Sequence, residues 1–109
     1  MTDKRRFPRY DRAFEVIYSA KTRDAEIQGY SVSSNISRGG ICLPLAKDMK
    51  NKDTLVLDIK LDGKERVSAA GKIKWIKDIK RLAPLQLIAG VEFTGITPKN
   101  ARILAEAIS

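Results

Sequence analysis

Residues 54–67 read Thr54-Leu55-Val56-Leu57-Asp58-Ile59-Lys60-Leu61-Asp62-Gly63-Lys64-Glu65-Arg66-Val67, and their pattern decides the fold. Leu55, Leu57, Ile59 and Leu61 alternate with Thr54, Val56, Asp58 and Lys60, the period of two that gives a strand one core face and one solvated face. Asp62-Gly63 follows at once, a dipeptide preferred at the two positive-φ positions of a type I′ hairpin turn. The chain therefore folds back into a second, long strand starting at Lys64 or Glu65. In that strand Val67, Ala69, Gly71, Ile73 and Trp75 share one parity, while Arg66, Ser68, Lys72 and Lys74 share the other and face water.

The same alternation extends outward on both sides. Upstream, Phe14, Val16 and Tyr18 take one parity and Ala13, Glu15 and Ile17 the other; Gly29, Tyr30 and Val32 suggest a second strand after a turn near residues 21–25. Small and polar residues gather over 33–40 as a loop, and Ile41 to Leu43 resume as a short apolar strand. Downstream, a loop over residues 78–84 leads to Leu85, Leu87, Ala89, Val91 and Phe93, alternating with Glu92 and Thr94. The period then changes. Thr97 suits an N-cap, Pro98 the first helical position, and Ala101, Leu104, Ala105 and Ile108 recur at helical spacing, predicting a helix at about 98–108. About six strands and one helix, without long βαβ crossovers, make an all-β chain whose antiparallel sheet curls into a barrel, with the C-terminal helix plugging or flanking one end.

A length of 109 residues fits one domain, and 43% hydrophobic with 31% charged residues is a globular composition. The net charge of +8 points to an anionic partner. The sequence contains no histidine, which excludes Ser-His-Asp and Cys-His catalysis and His-ligated zinc. The single cysteine, Cys42, sits in the apolar stretch Gly40-Ile41-Cys42-Leu43 and reads as a small buried hydrophobe. No nucleophile–base pair or metal-ligand cluster is visible, so the expectation is no enzyme, no metal and no cofactor. The charged start Met1-Thr2-Asp3-Lys4-Arg5-Arg6 and the lack of an 18-residue apolar run lead to the expectation of a cytoplasmic protein that does not insert in membranes.

Two clusters stand apart from the folding pattern. Residues 1–12 form a basic arm with five basic and two acidic side chains, and the barrel domain is expected over 13–109. Within the arm, Arg5 and Arg9 share the parity of an extended chain, with Lys4 and Arg6 beside them. Two guanidinium forks can thus address one ligand, each bidentate to a phosphate or to the O6/N7 edge of guanine. The second cluster is Asn35-x-Ser37-x-x-Gly40. Its short amide and hydroxyl offer donors and acceptors close to the backbone, and Gly39-Gly40 let a ring or phosphate approach; the same residue types also suit a plain turn between strands.

Arg5-Arg6-Phe7-Pro8-Arg9 followed by Asn35-Ile36-Ser37-Arg38-Gly39-Gly40 resembles the RxxxR and [D/N]xSxxG motifs of the PilZ family of bacterial cyclic di-GMP receptor domains. Ala70-Gly71-Lys72-Ile73-Lys74-Trp75 is similar to a late barrel strand of that family, and Ala89-Gly90-Val91-Glu92-Phe93 to the strand before its helix. The resemblance implies a six-stranded β-barrel with a C-terminal helix, no catalytic activity, and a basic arm that folds over cyclic di-GMP. It implies that Arg5 and Arg9 grip guanine and phosphate, that Asn35 and Ser37 bond the other guanine, and that Gly40 is the required glycine. Asn35 stands where the family often has Asp and lacks the charge that pairs with guanine N–H groups. Lys4, Arg6, Arg38, Gly39 and Trp75 are accessory candidates, although the parity of Trp75 with Ile73 also reads as a core tryptophan near the barrel rim.

On this reading the arm is a switch that the ligand orders, exposing a surface for a downstream effector protein, and the family resemblance suggests control of motility, surface polysaccharide or biofilm. Two other readings compete. A small basic barrel can bind RNA or single-stranded DNA, but the seven aromatics lie mostly on core parities, which argues against a stacking platform. A protein-interaction adaptor with weak nucleotide binding would keep the barrel, and the filled motif positions argue against it.

Overall fold

Alternation of apolar and polar residues is what the chain turns into strands. The computed structural model describes residues 10–21, 26–46, 49–61, 63, 65–77 and 86–108. Among them are seven strands and one helix: β1 (Glu15–Lys21), β2 (Glu26–Val32), β3 (Asn35–Ile36), β4 (Gly40–Ala46), β5 (Thr54–Lys60), β6 (Arg66–Lys77), β7 (Gln86–Gly95) and α1 (Pro98–Ile108). They form one curled antiparallel sheet in the order β2-β1-β5-β6-β7-β4-β3, a half-barrel closed by the helix. The count exceeds the expected six by β3, two residues inside the stretch read as a loop. So short a strand leaves no period to detect, and only its pairing with β4 (Asn35 opposite Cys42, Ile36 opposite Ile41) defines it.

The inward parities are those of the sequence pattern. Phe14, Val16, Tyr18 and Ala20 in and just before β1, Leu55, Leu57 and Ile59 of β5, and Val67, Ala69 and Ile73 of β6 are all buried, with Ile36, Ile41, Leu43, Leu45, Leu87, Ala89 and Val91 completing the barrel interior. The β5–β6 hairpin forms as expected but not with a two-residue turn. Its ladder ends on Lys60 opposite Arg66, and Leu61 N–H then donates to the Glu65 carbonyl (2.9 Å), leaving three residues in the loop. Gly63 in that loop has φ 85°, which suits a three-residue hairpin connection with a residue in αL. The Asp62 half of the expected turn lies outside the described residues.

The sheet cannot close by a continuous ladder, because Pro44 in β4 has no N–H to give. Side-chain hydroxyls span the gap instead. Ser31 Oγ donates to the Pro44 carbonyl (2.6 Å) and Ala46 N–H donates to Tyr18 Oη (3.0 Å), while beside them the backbone bond from Ser34 N–H to the Cys42 carbonyl (2.8 Å) continues the line. Residues 42, 44 and 46 therefore turn their backbone polar groups away from β7 and across the seam. At the other end, Thr97 caps the helix as its sequence predicts, its Oγ1 accepting from Asn100 N–H (3.1 Å). Asn100 Nδ2 ties the helix to the Ser68 carbonyl of β6 (3.2 Å), and Leu104 and Ile108 enter the core.

Candidate functional site

The chain enters the barrel beside the Asn-x-Ser-x-x-Gly motif. Tyr10 N–H donates to the Ile36 carbonyl (2.8 Å) and Ile36 N–H returns a bond to the Tyr10 carbonyl (2.9 Å), an antiparallel bridge on the residue between Asn35 and Ser37. Four residues on, Ser33 N–H donates to the Phe14 carbonyl (2.9 Å). The Ser33 hydroxyl accepts from Phe14 N–H (2.9 Å) and donates to the Arg12 carbonyl (2.6 Å). Residues 10–14 thus run antiparallel along 33–36. The guanidinium of Arg12 lies 5.0 Å from the centre of the Phe14 ring, a cation–π contact over the sealed end of the core.

Beyond Ile36 the chain makes a hairpin with Arg38-Gly39 at its tip. Ser37 N–H donates to the Gly40 carbonyl (2.8 Å), and Ser37 Oγ accepts from the N–H groups of Gly39 and Gly40, each at 3.1 Å. Both lone pairs of the hydroxyl are thereby spent on the turn, and its proton is left with the Gly40 carbonyl at 3.4 Å. Gly40 has a packing reason to be glycine. A Cβ at this position would run into the backbone carbonyl of Val91 on β7, the strand to which Gly40 is paired. Gly39 extends the same contact, its carbonyl accepting from Phe93 N–H (2.9 Å).

Cross-strand register sets which residues share the outer surface. Asn35 pairs with Cys42, Cys42 with Gly90, and Gly90 with Trp75, one row across β3-β4-β7-β6. The last step departs from the sequence reading. Ile73 faces Val91 while Trp75 faces Gly90, so Lys74 is an extra residue in β6, a bulge that reverses the parity beyond it. Trp75 is therefore carried to the outer face, 37% exposed, rather than into the core with Ile73. Its indole lies against Gly90, where any Cβ would overlap the ring. Beside this row, Lys74 Nζ pairs with Glu92 Oε2 at 3.3 Å, and Glu92 stands between Gly40 and Lys72 in the ladder.

Asn35 is half-buried on this surface, and its carboxamide makes no hydrogen bond to any described residue. Cys42, its cross-strand partner, is buried. Arg38 is exposed at the hairpin tip. Lys4, Arg5, Arg6 and Arg9 lie outside the described residues. Two features escaped the sequence reading: Ser33, which carries no pattern beyond being one serine among several, and the bulge, which is invisible until β6 is paired with β7. Among the described residues no cluster of acidic or cysteine side chains is arranged to hold a metal ion, and no helix is long and apolar enough to cross a membrane. A shallow groove lined by Glu15, Ile17, Tyr30, Asp58, Lys60 and Arg66 occupies the outer face of β2-β1-β5-β6, away from the motif row.

Comparison with known proteins agrees with this architecture. The structure of the Bacillus subtilis inhibitor of motility MotI/DgrA superposes with a TM-score of 0.77 at 20% identity, covering 98% of this chain and 50% of that one, so the chain spans half the length of that protein. The PilZ domain with c-di-GMP of YcgR from Escherichia coli superposes with a TM-score of 0.75 at 13% identity, covering 97% of this chain and 89% of that one. At these identities the likeness is one of fold. No curated protein matches by sequence. The family model for the PilZ domain, however, matches residues 3–109. Spanning both motifs, all seven described strands and the closing helix, that match shows that the chain belongs to the PilZ domain family.

Proposed function

We propose that the protein is a receptor for cyclic di-GMP, in which the arm bearing Arg5 and Arg9 closes over a ligand seated on the Asn35 surface of the barrel. The observation that carries this reading is the Tyr10–Ile36 bridge. It sets Tyr10, which follows Arg9 in sequence, opposite Ile36, the residue between Asn35 and Ser37, and so supports reading the arginines and the Asn-x-Ser-x-x-Gly motif as parts of one site. Asn35 supplies a carboxamide that no described residue engages to read a guanine edge, and Arg5 and Arg9 supply forks for the second guanine and the phosphates. Ser37 and Gly40 act mainly by holding the hairpin against β7, and the Ser37 hydroxyl proton would reach a ligand by giving up its long bond to the Gly40 carbonyl. Trp75 offers an indole on the same outer row, and Lys4, Arg6, Arg38 and Gly39 are accessory contacts.

Ordering an arm costs about 1–2 kcal/mol of conformational entropy per residue. Charge-assisted bonds to phosphate offset that cost, and Tyr10, Arg12 and Phe14 are already bonded to the barrel. The bound arm then presents a surface absent from the free protein, and a downstream effector in the cytoplasm reads that surface, in control of motility or biofilm. Calorimetry tests the reading. Cyclic di-GMP is expected to bind wild type saturably at micromolar concentration or tighter, with Arg9→Ala weaker by about tenfold or more, since bonds to charged groups contribute about 1.5–3 kcal/mol, and Asn35→Ala weaker by about two- to tenfold, since neutral bonds contribute about 0.5–1.5 kcal/mol. Tight, steeply salt-dependent binding of oligonucleotides with no response to cyclic di-GMP would replace it with the nucleic-acid reading.

A further inference from the structure

Ser33 lies outside both sequence motifs, yet it is 3% exposed and its backbone and hydroxyl make three bonds to a segment about twenty positions away in sequence: to the Phe14 carbonyl (2.9 Å), from the Phe14 N–H (2.9 Å) and to the Arg12 carbonyl (2.6 Å). The segment it holds is the one whose next bonded residue is Tyr10 on Ile36. We propose that Ser33 is a positioning residue for ligand binding: it fixes residues 10–14, where the basic arm joins the barrel, beside the motif hairpin. The proposal rests on the receptor reading for its ligand, but the clamp itself can be measured without one.

The physical argument is one of leverage. An arm anchored only at Phe14 could swing through a wide volume, and its arginines would be diluted over that volume. With Ser33 bonded to Arg12 and Phe14, and Ile36 to Tyr10, the residue that follows Arg9 in sequence is held opposite the neighbour of Ser37. The clamp therefore raises the local concentration of Arg9 and Arg5 at the motif without Ser33 touching the ligand. Two strand positions earlier, Ser31 supplies a comparison. It is similarly buried, at 5% exposed, and bonds an equally distant carbonyl, that of Pro44 at 2.6 Å, but it closes the barrel seam and has no bond to the arm root.

The experiment compares Ser33→Ala with Ser31→Ala, following thermal stability, amide hydrogen exchange at Tyr10 and Ile36, and calorimetric affinity for cyclic di-GMP. At similar loss of stability, Ser33→Ala is expected to speed exchange at Tyr10 and Ile36 and to weaken binding at least tenfold, with Ser31→Ala within threefold of wild type in affinity. Ser33→Cys, nearly isosteric with a weaker donor, is expected to move both readouts in the same direction by less, and it serves as the test should the alanine variant not fold. Equal loss of affinity in Ser31→Ala and Ser33→Ala overturns the positioning role and leaves Ser33 a structural residue. If wild type shows no binding, the receptor reading falls, and exchange then decides the clamp alone: unchanged rates at Tyr10 and Ile36 in both Ser33 variants refute it.

Discussion

The motif glycine Gly40 separates two physical accounts of the same residue, one in which a bound ligand needs the space and one in which β7 does. Alanine at position 40 would place a methyl group against the Val91 carbonyl, and the further neighbours Val91 C and Glu92 Cα lie at 3.4 Å. These are backbone atoms of a strand locked between β4 and β6, so the collision cannot be relieved by a side-chain rotation. Overpacking of this kind costs about 1–3 kcal/mol, and the upper part of that range applies where a strand must move. In a domain of this size about 3 kcal/mol lowers Tm by roughly 10–20 °C. Gly95→Ala, whose new methyl would meet only the Ala70 Cβ at 3.3 Å, is the control and should cost much less. Calorimetric or circular-dichroism melting of the ligand-free proteins measures both. Were Gly40→Ala to melt within about 2–3 °C of wild type, roughly a fifth of the shift the collision requires, and yet lose ligand binding, the strand-packing account would be wrong and the glycine would belong to the ligand.

Three further outcomes follow from the geometry. Tyr18→Phe removes the acceptor of the Ala46 N–H at the barrel seam and should destabilise by about 1–3 kcal/mol, the cost of an unpaired buried polar group; urea unfolding should show a lower midpoint at unchanged m, and an unaltered midpoint would mean the seam is closed by other means. Trp75 is the sole tryptophan, and its place on the outer face predicts a stability cost for Trp75→Ala below the about 3–5 kcal/mol of a core aromatic, together with a change in intrinsic fluorescence on adding cyclic di-GMP that Arg9→Ala abolishes. The Tyr30 hydroxyl donates to Glu15 Oε1 at 2.9 Å, and this bond, followed by desolvation and the carboxylate's charge, raises the phenol above its usual value of 10.0. Spectroscopic titration of Glu15→Gln should therefore show Tyr30 ionising at lower pH than in wild type, and no difference would contradict the bond.

How much of this could be read beforehand depended on distance along the chain. The β5–β6 hairpin and the capped helix were legible because each is specified within a dozen residues: the alternation of Leu55 to Leu61, the turn glycine, and Thr97 followed by Pro98. The motif residues were legible as a pattern, and the register shows that Asn35 lies on the outer face while Ile36 points into the core. Other features were hidden because they arise only when strands meet. Asn35–Ile36 becomes a strand by pairing with β4, and Trp75 is turned outward by an extra residue, Lys74, that exists only relative to β7.

The sequence by itself determined which side of each long strand would be dry, where the chain would reverse and where the helix would begin, since these follow from the period of apolar residues and from the local chemistry of Gly, Pro and Thr. It also carried the family motifs. Tertiary structure alone decided how the barrel closes around Pro44, why Gly40 has no side chain, and that Ser33 and Ile36 hold residues 10–14 beside the motif hairpin. Those outcomes depend on hydrogen bonds and close contacts between residues far apart in sequence, such as Phe14 with Ser33, Tyr18 with Ala46 and Gly40 with Val91. Such contacts obey no local period, because the partner of each group is fixed only when the sheet has curled.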